Sequence, residues 1–120
     1  MFIDDEKHFG DLMYDIFANE PYNITCENNG TDALNHDMHN LYIVDLGLPG
    51  MDGIQTLEAL ARKFNQKVDA FIITGYEPDF DKAFRKERGI RHVLHKPFDM
   101  AILKKLIKNH FAEKESVLNT

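Results

Sequence analysis

The chain has 120 residues, 43% of them apolar, and a formal net charge of −6, which fits one domain with one core. No apolar stretch approaches the ~18 residues that span a bilayer, no basic region followed by an apolar core marks a secretory signal, and overall acidity argues against direct nucleic-acid binding. The single cysteine, Cys26, cannot form an internal disulfide and suits a reducing compartment, so the expected location is the cytoplasm.

Short apolar runs alternate with helical patterns along the chain. Phe2-Ile3 reads as a strand ending at Asp4-Asp5. It is short against the usual ~5 residues, so if it lies inside the sheet, residues are expected to be missing upstream. Residues 7–19 carry Phe9, Leu12, Met13, Ile16 and Phe17 at amphipathic helix spacing, and Pro21 stops them. Tyr22 to Cys26 alternates like a half-buried strand near a sheet edge. Asn28-Asn29-Gly30 is a turn, after which Thr31 or Asp32 caps a short helix to about His39. Leu41 to Val44 is a buried strand. Residues 52–64 form a helix with Ile54, Leu57, Ala61 and Phe64 on one face. Val68 and Ala70 to Ile73 make a near-continuous apolar strand, as in parallel sheets covered on both faces. Residues 79–88 form a polar helix closed by Gly89. Ile90 to Leu94 is a strand, and Asp99 caps a last helix with Ile102, Leu103, Leu106, Ile107 and Phe111 on its apolar face. Residues 1–114 form the domain, and residues 115–120 a frayed tail or the start of a linker. Five βα units imply a parallel sheet with right-handed crossovers and helices on both faces.

Four strand tips then carry chemistry: Asp4-Asp5, Asp45, Thr74 and Lys96. In a parallel sheet they share one edge, where open α/β sheets bind their ligands. Three crowded carboxylates repel one another, and a hard divalent cation such as Mg²⁺ relieves that at neutral pH. Lys96 adds a mobile positive charge and Thr74 a hydroxyl, while Gly75 leaves room for a substituent. A metal, an ammonium and a hydroxyl converging on one carboxylate suit phosphoryl transfer.

These residues, together with Val44-Asp45-x-x-Leu48-Pro49-x-Met51-Asp52-Gly53 and Lys96-Pro97-Phe98, resemble the receiver domain of two-component response regulators. The resemblance covers about residues 2 to 112. It implies a flavodoxin-like α/β fold: a three-layer sandwich with a five-stranded parallel sheet in order 2-1-3-4-5 and five helices. It implies that Asp45 accepts a phosphoryl group from a phosphohistidine on a sensor histidine kinase or histidine phosphotransfer protein. Asp5 and Asp45 would bind Mg²⁺ directly, Asp4 mainly through water, and Gly47 through its carbonyl. Thr74, Gly75 and Lys96 would contact the phosphoryl group, with Lys96 first pairing with Asp45. The Lys96-Pro97 bond would be cis. Beyond its own phosphorylation and dephosphorylation on Asp45, such a domain turns over no substrate.

One departure concerns signalling. Many receivers carry Tyr or Phe three residues before the lysine, where this chain has Val93, a stiff side chain with little to expose. Movement of the loop at residues 75–80, or altered dimer contacts, would then carry the signal. Tyr76 and Gly47 occupy positions that tune the lifetime of the phosphorylated state. With Tyr76 shielding the acyl phosphate from water and Gly47 offering no side chain to guide one, slow self-dephosphorylation is expected.

Charge adds a partner expectation. Residues 1–60 hold one base, Lys7, and twelve acids, whereas residues 61–120 hold thirteen bases and eight acids. The bases between residues 79 and 108 form a surface for an output domain or partner, against the plainer reading of a solvated face. Two other functions compete. A degenerate receiver would serve as a constitutive interaction module. A phosphatase of the haloacid dehalogenase type would need a second acid where Gly47 stands. His36-x-x-His39 and His92/His95 lack the partners that would complete a zinc set.

Overall fold

Residues 1–118 are described by a computed structural model of the chain. The strands are β1 (Phe2–Ile3), β2 (Cys26–Glu27), β3 (Tyr42–Asp45), β4 (Ala70–Thr74) and β5 (Ile90–His95). The helices are α1 (Phe9–Ile16), α2 (Gly30–Ala33), α3 (Gly53–Phe64), α4 (Lys82–Glu87) and α5 (Met100–Leu118). All strand pairings are parallel, and the order is β2-β1-β3-β4-β5. That is the α/β sandwich and strand order expected from the sequence.

Strand alternation sorts the core into two layers. Ile3, Val44 and Ile72 face one side with Leu57 and Leu60 of α3. Phe2, Ile43, Phe71 and Ile73 face the other with Met13 of α1 and Leu103 and Ile107 of α5. Each such side chain, fully buried, contributes about 1.5–3 kcal/mol. α4 is fixed differently. It has no buried residue; its Phe84 and the preceding Phe80, both partly buried, pack against the first layer. The two rings stack at 4.5 Å, and the Arg88 guanidinium lies 3.7 Å from the Phe84 centroid.

Several boundaries differ from the sequence reading. β2 is Cys26–Glu27 rather than 22–26, because β1 offers only Phe2 and Ile3 as ladder partners. α2 is capped by Asn29, whose side chain accepts from Asp32 N–H, and it ends at Ala33. Beyond it the backbone finds other partners, as where His39 N–H donates to the Tyr42 hydroxyl. Leu12 and Ile102, expected in the core, are half exposed at 50% and 54%. α1 buries the narrower Phe9-Met13-Phe17 stripe instead, and on α5 His110 is buried along with Leu103 and Ile107. α5 continues to Leu118, past the point where a tail was expected, and residues 119–120 lie outside the described residues.

Candidate functional site

β3 delivers Asp45 to the carboxyl edge of the sheet, and the chain turns at once toward α3. Two devices fix that turn. Asp52 caps α3 by accepting from Gln55 N–H at 2.8 Å, while the Gln55 side chain accepts from Asp52 N–H at 3.0 Å, a reciprocal capping box. Gly53 then lets the helix start lie against the strand end. A Cβ there would stand 2.6 Å from the Asp45 carbonyl oxygen and 2.8 Å from Leu46 Cα, closer than real Cβ contacts come. Asp52 is thus occupied as a helix cap.

Around Asp45 the expected groups assemble. Oxygens of Asp4, Asp5 and Asp45 lie within 4.8 Å of one another. Asp4 and Asp45 are buried, whereas Asp5 is exposed to solvent. Lys96, at the end of β5, reaches over from the far side. Its Nζ donates to Asp4 Oδ2 at 2.9 Å and to Asp45 Oδ2 at 3.2 Å. The Lys96–Pro97 bond is cis. Gly47 N–H donates to the other Asp45 oxygen at 3.0 Å. Thr74 is fully buried, and its Oγ1 accepts from Tyr76 N–H at 3.2 Å. Beside it, a Cβ on Gly75 would meet nothing within 4 Å, which leaves open space at the strand tip. The Tyr76 ring is 59% exposed and Val93 is partly buried.

Two features were not foreseen. Lys96 lies nearer Asp4 than Asp45, and exposed Glu6 also approaches it at 3.5 Å. The Asp4 side chain is wholly inaccessible to water, so it takes the shorter ammonium contact, while its other oxygen accepts from Glu6 N–H at 2.9 Å. Burial pushes the Asp4 carboxyl above its ordinary range, against the pull of the Glu6 amide and the Lys96 ammonium. Burial also works against the charge on Lys96. Asp4 and Asp45 outweigh it and hold the ammonium above the usual lysine range. One tethered ammonium thus offsets part of the charge of the three carboxylates.

Residues 1–108 match the response regulator receiver domain. The chain belongs to that family. The receiver also resembles solved structures closely in fold. One is a CheY-like response regulator receiver domain from Methanospirillum hungatei JF-1, at a TM-score of 0.80 and 23% identity, covering 96% of this chain and 94% of that one. Another is the signal receiver domain of an HD domain-containing protein from Pseudomonas fluorescens Pf-5, at a TM-score of 0.79 and 22% identity, covering 96% and 94%. A third is the N-terminal domain of a response regulator/sensory box/GGDEF 3-domain protein from Carboxydothermus hydrogenoformans, at 0.76 and 20%, covering 98% and 96%. Membership implies phosphoacceptor signalling, and the family generally binds Mg²⁺ at an acidic pocket. The donors here suit that ion, since carboxylates within 4.8 Å of one another supply hard oxygen ligands and the exposed Asp5 leaves room for its waters.

The basic surface is less free than the sequence suggests. Arg91 is engaged with Asp69 at 3.0 Å, Lys104 approaches Glu20 at 3.4 Å, and Arg88 lies between Glu58 and Glu87. Lys82, Lys86, Lys105 and Lys108 remain exposed. No described helix is long and apolar enough to cross a membrane.

Proposed function

We propose that Asp45 is the phosphoacceptor of a signalling switch that takes its phosphoryl group from a phosphohistidine. An Asp45 oxygen attacks phosphorus, the P–N bond breaks, and the imidazole leaves and is reprotonated. Asp5, Asp45 and the Gly47 carbonyl would hold Mg²⁺, with Asp4 contributing through water, and the ion would offset charge on the phosphoryl oxygens. Lys96 gives up Asp45 and pairs with a phosphoryl oxygen, keeping its contact with Asp4. The Thr74 hydroxyl, which accepts from Tyr76 N–H, donates its own hydrogen to another phosphoryl oxygen, and the open space at Gly75 admits the group. The observation that carries this reading is the convergence of the acid pair and the Lys96 ammonium on Asp45.

The donor would be a sensor histidine kinase or histidine phosphotransfer protein in the cytoplasm. Residues 79–108, or a homodimer, would pass the signal on, with no direct contact to nucleic acid or membrane. The test adds Mg²⁺ and a small phosphodonor and weighs the intact protein. A gain of one phosphoryl group, absent in Asp45→Asn and without Mg²⁺, is expected. No gain in the unaltered protein would leave the alternative, a receiver that acts only as a constitutive interaction module. With no side chain at Gly47 to guide water, the acyl phosphate should outlast seconds even though the Tyr76 ring, expected to shield it, is 59% exposed, and faster decay in Mg²⁺ would refute that part.

A further inference from the structure

The Lys96 ammonium has three hydrogens, and three carboxylates surround it: Asp4 Oδ2 at 2.9 Å, Asp45 Oδ2 at 3.2 Å and Glu6 Oε2 at 3.5 Å. The first two belong to the acidic cluster. Glu6 does not, since the oxygens that lie within 4.8 Å of one another are those of Asp4, Asp5 and Asp45. It meets the ammonium from solvent, with its side chain 64% exposed. Its backbone is nevertheless fixed. Glu6 N–H donates to Asp4 Oδ1 at 2.9 Å, and Glu6 C=O accepts from Phe9 N–H at 3.1 Å at the start of α1.

Charge singles this residue out. Asp4, Asp5 and Asp45 bring three negative charges. The Lys96 ammonium and a divalent ion on those carboxylates bring three positive ones. Glu6 is the charge left over. Glu77, an exposed acid in the loop after β4, faces His95 at 3.2 Å instead.

The ammonium that Glu6 approaches is also the one that a phosphoryl oxygen would join. An oxygen at hydrogen-bond distance from Nζ comes within about 6–7 Å of the Glu6 carboxylate. That is shorter than the Debye length at physiological salt. Across such a distance in water, each unit of negative charge on a phosphodonor slows its approach by about threefold.

We propose that Glu6 selects the phosphodonors of Asp45 by charge, disfavouring small free dianions such as acyl phosphates. A docked protein brings its phosphoryl group in on contacts made elsewhere, so the penalty falls on free donors. The inference rests on the reading of Asp45 as the phosphoacceptor.

The test compares the unaltered protein with Glu6→Gln, which removes the charge, and Glu6→Asp, which keeps it. Each is titrated with Mg²⁺ by thermal melt. Phosphorylation is then followed by intact mass at saturating Mg²⁺, with acetyl phosphate (a dianion at neutral pH) or phosphoramidate (a monoanion). Both transfers form an O–P bond at Asp45. The first breaks a P–O bond and releases acetate; the second breaks the P–N bond and releases ammonia, whose nitrogen already carries its protons. At low ionic strength Glu6→Gln is expected to speed acetyl phosphate by about tenfold and phosphoramidate by about threefold, and the gap should close as salt approaches about 0.5 M. Glu6→Gln should also need several-fold more Mg²⁺ for the same rise in Tm, and Glu6→Asp should resemble the unaltered protein in every readout. An unchanged donor ratio in Glu6→Gln, with the mass gain intact, would overturn this proposal and leave that for Asp45 standing. An equal shift in Glu6→Asp, a shift indifferent to salt, or an unchanged Mg²⁺ requirement would overturn it as well, since charge would not be the source. No mass gain with either donor in any of the three proteins would overturn the reading of Asp45 and this inference with it.

Discussion

Replacing Lys96 with methionine separates the tethered cation from the sites it serves. Methionine keeps the apolar stem and removes the ammonium that spans Asp4 at 2.9 Å and Asp45 at 3.2 Å. A hydrogen bond to a charged group contributes about 1.5–3 kcal/mol when it is well buried. Asp4 meets that condition, but the Lys96 side chain is 25% exposed, so the second contact is discounted for solvent. A net loss of about 2–3 kcal/mol follows, or very roughly 10 °C in Tm for a domain of this size. The two freed carboxylates then become a better site for a divalent ion. Ligand at a hundred times its Kd stabilises by about 2.7 kcal/mol, enough to close most of the gap. Thermal melts of both proteins across a Mg²⁺ titration are the assay. Lys96→Met should melt lower without Mg²⁺, respond to lower Mg²⁺ concentrations, and gain more from saturation than the unaltered chain. A Mg²⁺-induced rise in Tm equal to or smaller than that of the unaltered chain would refute the idea that Lys96 occupies the acidic cluster at rest.

Other perturbations separate parts of the same architecture. Gly53→Ala should cost about 1–3 kcal/mol in urea unfolding and slow phosphorylation, because the added Cβ collides with the Asp45 carbonyl. Asp52→Ala should cost about 1 kcal/mol through the lost cap while Asp45 still gains its phosphoryl group, since Asp52 is bound to Gln55; a lost mass gain would place Asp52 in the site instead. Asp69 supplies a pH test. It accepts from Arg91 at 3.0 Å and Lys114 at 2.8 Å, with His110 at 3.7 Å. Burial favours its neutral form, but the two cations outweigh that and hold the carboxyl below its ordinary range. A carboxyl lowered by folding stabilises above the unfolded value near ~3.9 and loses that contribution as pH falls through the folded value. The stability advantage of the unaltered chain over Asp69→Asn should therefore be present at neutral pH and fade in acid below about pH 4; a constant difference across that range would show that the carboxylate charge is not its source.

The parts of this receiver that were legible in the sequence are those fixed by local rules. A strand that ends in Asp45 and a proline and glycines in the next loop each specify backbone positions. Parallel pairing then brings Asp4, Thr74 and Lys96 to the same edge. Which carboxylate Lys96 prefers was not legible, because that depends on how deeply Asp4 is buried, a property of the assembled sheet. Glu6 is similar: its place beside the acid pair was visible, but its approach to Lys96 depends on a side chain 90 residues away. The slip in β2 has the same origin. Tyr22 to Ile24 alternates correctly for a strand, yet a strand exists only where a neighbour supplies the other half of the ladder. On α5, periodicity alone could not tell that His110 would be buried and Ile102 left in water.

The stack of Phe80, Phe84 and Arg88 bears on what a change of state at the acidic edge could move. A helix held by buried side chains must drag those side chains out of close packing before it can shift. α4 has none. Its footing is two nearly parallel rings, Phe80 and Phe84, packed against the first core layer, with a guanidinium laid over the second. Flat surfaces of this kind can slide while staying in contact, so displacing α4 forfeits little apolar burial. Val93 stands where many receivers carry an aromatic, and what α4 would give up on moving is contact between flat rings rather than a buried side chain.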